Sequence, residues 1–222
     1  MLSLVVIAAG HFQLTWTYYF TKPMVMLMML FFFKMESGGT KNVLFKNLMI
    51  SGILFSAIGD FLLMFAAQNE NYFIMGLIAF LITHICYTTA FISQIFNSRP
   101  WNQHWGQLAF STLIVVYGAE YFILNHTSFG AFMIPVMIYC AAITAMGVAA
   151  VMRDLQNNKK GYFRVLLGAL LFIVSDSLLA TNKFVFAIDY EVILILGTYF
   201  AAQFFIITGC VIDFQKNKNI LK

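Results

Sequence analysis

The sequence predicts an all-α integral membrane protein of about eight transmembrane helices, the first of them short or incomplete. Three observations carry this reading. Sixty-one per cent of the 222 residues are hydrophobic and only 10% are charged, a balance that no water-soluble domain of this size needs to fill its core. The apolar residues fall in runs close to the roughly 20 residues that one membrane crossing takes. Between the runs lie short segments that hold the turn formers and most of the charges, so residues 1–222 read as a single transmembrane domain with no soluble domain.

The first run, Leu2 to about Thr17, is the weakest. Two full crossings need about 40 residues, and only 33 precede Lys34, so the first helix is expected to be short, tilted or incomplete. The start, MLSLVVIAAGHF, has neither a positive n-region nor a clear small-residue cleavage site and reads as part of the mature chain. Tyr18 to Phe33 forms the second span and ends at KMESGGTK; Val43 to Phe65 forms the third and ends at AAQNEN. The fourth, Tyr72 to Phe96, stops at NSRPWNQH, and the fifth, Trp105 to Leu124, at NHTS. Phe129 to Met152, Tyr162 to Thr181 and Val192 to Phe214 follow, separated by RDLQNNKKG and NKFVFAIDYE. The cysteines, Cys86, Cys140 and Cys210, sit in separate apolar runs without CxxC spacing and read as small packing residues.

Charge sets the orientation. With eight spans, one side holds Lys34, Lys41, Lys46, Arg99, Arg153, Lys159, Lys160, Arg164, Lys216, Lys218 and Lys222, leaving only Lys22 and Lys183 on the other. The richer side is the cytoplasmic one, which places the C-terminus there. The net charge of +4 is this orientation signal and gives no nucleic-acid patch.

Within that frame two aspartates break the apolar rule. GDFLL carries Asp60 and SDSLL carries Asp176. Counted from the cytoplasmic ends of the third and seventh helices at about 1.5 Å per residue, both carboxylates lie about 21 to 26 Å out, in the outer half of the bilayer. Lys22, Lys183 and Glu120 fall on the same side. A weak internal repeat supports the arrangement: Asp60 and Asp176 are 116 residues apart, while Pro23 and Pro135, and Tyr87 and Tyr199, are each 112 apart. Spans two to four would then match spans six to eight as parallel repeats.

An ionisable residue inside a membrane is costly enough that function is the default expectation, although an aspartate paired with a lysine or hydroxyl can also fix helix register. Ser51, Gly52, Ser56 and Gly59 let a neighbouring backbone approach Asp60 under either role. His84, with Tyr87 and Thr88 about one turn away, suits a hydrogen-bonded structural histidine as well as a catalytic one. The chain lacks HExxH or paired-histidine spacing, so no metal or other cofactor is expected. Most of the 25 Phe and 10 Tyr are packing or lipid-facing residues; Tyr139, Tyr199 and Gln203 stand out for placing polar atoms in the outer half or middle of a span.

TKP at Thr21 to Pro23, GDFLL, the THICY segment around His84, the IPVMIY segment around Tyr139, SDSLLATNKF and GTYFAAQ together resemble the YhhN-like lysoplasmalogenase family of polytopic membrane proteins, from Thr21 to about Gly209. The resemblance implies a hydrolase of the vinyl ether bond of lysoplasmalogens, with Asp60 and Asp176 as the catalytic pair. The chemistry suits the residues: vinyl ether cleavage needs a proton delivered to carbon and a group that stabilises the resulting cation and activates water, which two carboxylates do in glycoside hydrolysis. Lys22 and Lys183 are expected to bind the lipid phosphate, with His84, Tyr139, Tyr199 and Gln203 completing the substrate site. The expected partners are a lysophospholipid and the lipid bilayer, in a multi-pass protein of a bacterial cytoplasmic membrane. Two alternatives use the same aspartates. An intramembrane aspartyl protease would need glycine where Ala57 stands and tyrosine where Ser175 stands. A proton-coupled transporter or lipid-binding protein would use the carboxylates to relay protons or hold a headgroup.

Overall fold

The computed structural model describes residues 2–11, 15–38, 42–95, 105–153 and 158–220, with side chains at all of these but 2, 9–11, 15–20 and 216–220. The described residues form eight α-helices and no strand: α1 (Leu2–His11), α2 (Thr15–Glu36), α3 (Val43–Leu63), α4 (Glu70–Ile92), α5 (Trp105–Asn125), α6 (Met133–Met152), α7 (Lys159–Phe184) and α8 (Glu191–Ile220). Six of them, α3 to α8, are long and apolar enough to cross a membrane. Lys41, Arg99 and Lys222 lie outside the described residues, as do the side chains of Lys216 and Lys218.

Local chemistry sets the helix ends. Asn42, Asn69 and Asn158 cap α3, α4 and α7, each side-chain oxygen accepting a backbone N–H of the first turn at 3.0, 2.9 and 3.3 Å. Pro135 sits in the first turn of α6, where its missing N–H costs nothing, whereas Pro23 lies inside α2 and leaves a carbonyl without its usual donor. Two short 3₁₀ turns, His126–Ser128 and Gly130–Phe132, carry the chain from α5 to α6.

The helices depart from the predicted spans at their ends. The first expected span, Leu2 to Thr17, is divided: α1 stops at His11 and α2 has begun by Thr15. At 10 residues α1 is about 15 Å long, half of the roughly 30 Å hydrocarbon core, so it is short, as the residue count requires. α7 continues past Thr181 to Phe184, and α8 past Phe214 to Ile220, because polar residues at the membrane edge end a hydrophobic run without breaking a helix.

Packing follows the suspected duplication. α3 pairs with α4 and α7 with α8 more extensively than any other helices; α2 lies on α3 as α6 lies on α7, and α2 meets α8 as α6 meets α4. Close approach explains the two dominant pairs. A Cβ on Gly59 of α3 would stand 2.7 Å from the Phe80 ring of α4, and one on Gly168 of α7 would stand 2.7 Å from the α8 backbone at Ala202. α5 is the peripheral member, packing on α6.

A polar knot closes the end of the bundle away from the two aspartates. Arg153, 3% exposed at the end of α6, pairs with Asp213 of α8 and donates from Nε and Nη2 to Gln94 Oε1 at 2.9 and 2.7 Å. Its guanidinium also lies over the Phe91 ring. Gln107 of α5 donates to the Val151 and Arg153 carbonyls at 2.6 and 2.9 Å, and the Tyr162 hydroxyl donates to Val151 at 2.8 Å.

Candidate functional site

Asp60 sits one turn before the end of α3, and its small neighbours Ser56 and Gly59 bring α4 and α8 close enough to bury it to 2% exposure. Lys22 of α2, itself 5% exposed, places Nζ 3.4 Å from Asp60 Oδ1. On the other oxygen, the Tyr199 hydroxyl of α8 donates to Oδ2 at 2.7 Å. A relay holds that tyrosine from behind: Tyr87 donates to Gln203 Oε1 at 2.8 Å, Gln203 Nε2 donates to Ser56 Oγ at 2.8 Å, and Ser56 Oγ lies 2.7 Å from the Tyr199 hydroxyl. All four relay residues are buried, so the chain satisfies polar groups that an apolar core would otherwise penalise.

Asp176, about two turns before the end of α7, has a different set of partners. The Tyr139 hydroxyl of α6 donates to its Oδ2 at 2.5 Å, and His84 Nε2 of α4 lies 3.1 Å from the same oxygen and 3.0 Å from that hydroxyl. The imidazole is fully buried, wedged edge-on between Tyr139 and Phe172, with Met146 Sδ 3.4 Å from Nδ1. One carboxylate therefore faces a lysine and a tyrosine, the other a histidine and a tyrosine.

Both carboxylates line one cavity of about 380 Å³. Phe80 and Tyr199 contribute to its wall, and the two rings pack edge-on with Phe172, at centroid separations of 5.6 to 6.4 Å, beneath it. The mouth is edged by polar Asn182, Lys183 and Glu191, where α7 ends and α8 begins, and by Ala66 and Ala67 at the α3–α4 turn. Asn182 shapes that rim: its Nδ2 donates to Glu191 Oε2 and its Oδ1 accepts from Ile188 N, in a turn where Tyr190 adopts φ 57°. Lys183 Nζ lies 4.9 Å from the centre of the Phe73 ring and is exposed. Such a cavity can hold a small polar group beside two carboxylates while aromatic faces stabilise developing positive charge.

The YhhN family matches residues 17–210, a range that contains all of these residues. The chain belongs to that family. Curated relatives of this YhhN protein include lysoplasmalogenase TMEM86A of Bos taurus, 38% identical over 72% of this chain and 63% of the relative, and its Homo sapiens counterpart, 35% identical over the same shares. A lysoplasmalogenase of Mycobacterium bovis is 27% identical over 74% of this chain and 60% of the relative. The chain thus spans somewhat less than two thirds of the curated relatives it matches. No solved structure matches it.

Each site residue that the sequence singled out in the YhhN chain has a defined place. Asp60, Asp176, Lys22, Lys183 and Tyr199 line the cavity. His84 and Tyr139 hold Asp176 from its far side, and Gln203 stands one layer back, behind Tyr199. Glu120 is exposed on α5, and Cys210 is buried while Cys86 and Cys140 are partly so. Sequence reasoning did not single out the rim residues Asn182 and Glu191, because charge and amide in a turn read as ordinary loop chemistry. It also passed over Tyr117 and Tyr121 of α5, whose i, i+4 spacing was the available signal.

Proposed function

We propose that this YhhN protein hydrolyses the vinyl ether bond of lysoplasmalogens, releasing a fatty aldehyde and a glycerophospho-alcohol. The observation that carries the reading is one cavity walled by two aspartates with unlike partners. The naming of the curated relatives as lysoplasmalogenases supports it. Asp176, linked to His84 and Tyr139, donates a proton to the β-carbon of the vinyl ether, and the C=C π pair forms the new C–H bond, leaving an oxocarbenium ion. Asp60, the carboxylate paired with Lys22, stands beside that cation and takes a proton from the attacking water. The hemiacetal so formed collapses by breaking its C–O bond to the glycerol: the proton held on Asp60 goes to the departing alkoxide, and the hemiacetal hydroxyl proton returns to Asp176 as the aldehyde C=O forms. The net consumption is one water. Lys183 at the rim binds the lipid phosphate, and Glu191 supplies the opposite charge that an ethanolamine or choline amine needs. Lys22, engaged with Asp60, serves the carboxylate first. The rim faces the outer side of a multi-pass protein with a cytoplasmic C-terminus.

The test is aldehyde release from a vinyl-ether lysolipid by the purified protein. Asp60→Asn and Asp176→Asn should each lower the rate about 10³-fold, within the range for lost acid–base groups. In D₂O the wild-type product should carry one deuterium on the carbon next to the aldehyde. Equal rates for both variants and wild type, or aldehyde free of deuterium, would discard the mechanism.

A further inference from the structure

Asp176 borders two spaces. Besides the polar cavity it lines a narrow apolar slot of about 50 Å³, between α6 and α7, with Tyr139, Cys140, Ile143, Ile173, Leu179 and Phe184 on its walls. Leu179 is shared with the cavity, so the carboxylate and this leucine stand at the junction. The slot does not end there. Tyr121, Cys140, Ile143, Ile173 and Ser177 also line a second small space nearer Thr144 and Gly118, and Gly118, Cys140 and Thr144 border a groove of about 460 Å³ on the outer face of α5 and α6.

The roof over this path is loosely built. α5 packs on α6 and meets α7 through two tyrosines: Tyr117 donates to Ser177 Oγ at 2.9 Å, and Tyr121 reaches the Ser177 carbonyl at 3.1 Å and the Thr181 hydroxyl at 3.0 Å. Individual hydrogen bonds between helices in a membrane are worth about 0.6 kcal/mol on average, so parting α5 from α7 at this seam costs little. Such a seam can open sideways into lipid, which a substrate already dissolved in the bilayer requires.

We infer that the slot and the spaces it leads into hold the single aliphatic chain of the lysolipid, with the α5–α7 tyrosine seam as the entry through which the chain passes from the bilayer. The inference rests on the lysolipid reading of the site and adds where the hydrocarbon goes. The slot is too narrow for two chains side by side, and among the described residues its only charged lining residue is Asp176 at the junction. The chain's first carbons therefore lie against Asp176 while the headgroup occupies the polar cavity beyond, and a diacyl lipid meets the wrong shape.

Photo-crosslinking tests this without turnover. The protein in phospholipid nanodiscs is irradiated with lysophosphatidylcholine carrying a mid-chain diazirine, and adducts are mapped by mass spectrometry. Adducts on the peptides holding Val136 to Ile143 and Tyr121 should appear, and excess unlabelled C16 lysolipid should remove them while chain-free glycerophosphocholine does not. Adducts confined to lipid-facing residues such as Leu113 or Leu27, or unaffected by competitor, would overturn the assignment. Kinetics give the second arm. Cys140→Phe, which narrows the slot, should raise KM for a C16 substrate about tenfold, equivalent to about 1.4 kcal/mol, and raise it less for a C8 substrate; equal loss for both lengths would speak against the slot. Crosslinking in the slot without aldehyde release would sink the hydrolase reading and leave the chain site standing.

Discussion

Tyr199 reaches Asp60 across the molecule because Ser56, Gln203 and Tyr87 fix its hydroxyl from behind. Removing that hydroxyl in Tyr199→Phe keeps the ring packed on Phe80 and Phe172 and deletes one hydrogen bond to a charged group, worth about 1.5–3 kcal/mol. Aldehyde release should fall by about tenfold or more, with the loss in kcat. Lys22 makes the sharper test. Lys22→Met strands a buried carboxylate, which costs roughly 3–5 kcal/mol and should appear as a lowered unfolding midpoint in detergent. Lys22→Met/Asp60→Asn should recover most of that stability while staying inactive; no recovery would mean that the pair does not hold Asp60. The aspartates themselves were legible, since a carboxylate in an apolar run is conspicuous. Their partners were less so. Depth follows from counting residues along one helix, but which side chain meets which depends on how helices far apart in sequence pack, and Tyr199 lies 139 residues from Asp60.

At the scale of elements, apolar runs located seven of the eight helices to within four residues at either end, except that α8 runs on from Phe214 to Ile220, and the three asparagine caps give the turns their sharpness. The misplaced boundary lies between α1 and α2, where Gly10, His11, Gln13, Thr15 and Thr17 are scattered among apolar residues and no charge or proline marks the change. Arg153 shows a different failure. Its place beside a turn made it a loop charge in an orientation count, yet it is buried against Asp213 and Gln94. That pair pins the ends of α6 and α8. Arg153→Met should cost roughly 3–5 kcal/mol, and Arg153→Met with Asp213→Leu much less, because replacing both partners leaves no unpaired buried charge; thermal melts of the three proteins decide it. Gly59→Ala probes the other end. Its Cβ would press on the Phe80 ring, and overpacking of this kind costs typically 1–3 kcal/mol, here with a loss of activity, because Phe80 also walls the cavity.

At the scale of the molecule, the site lies where two similar halves meet. α3 carries one aspartate and α7 the other, and each is held by the first helix of its own half and the last helix of the opposite half: Lys22 and Tyr199 for Asp60, Tyr139 and His84 for Asp176. Both open toward the α3–α4 and α7–α8 turns, so the proposed lipid substrate would present its headgroup from one membrane face. A C-terminal fluorescent-protein fusion should glow and a C-terminal alkaline phosphatase fusion should stay inactive in bacterial cells; the reverse pattern would put the rim on the cytoplasmic side. The duplicated arrangement also bears on how such a site acquires a direction. If the two aspartates act as proposed, two identical halves would give two equivalent carboxylates and a reaction with no preferred sense, so their division of labour cannot reside in the aspartates. It resides in the residues that differ around them, a lysine on one side and a histidine on the other, and exchanging those two environments should exchange the carboxylates' jobs and turn the bound substrate end for end.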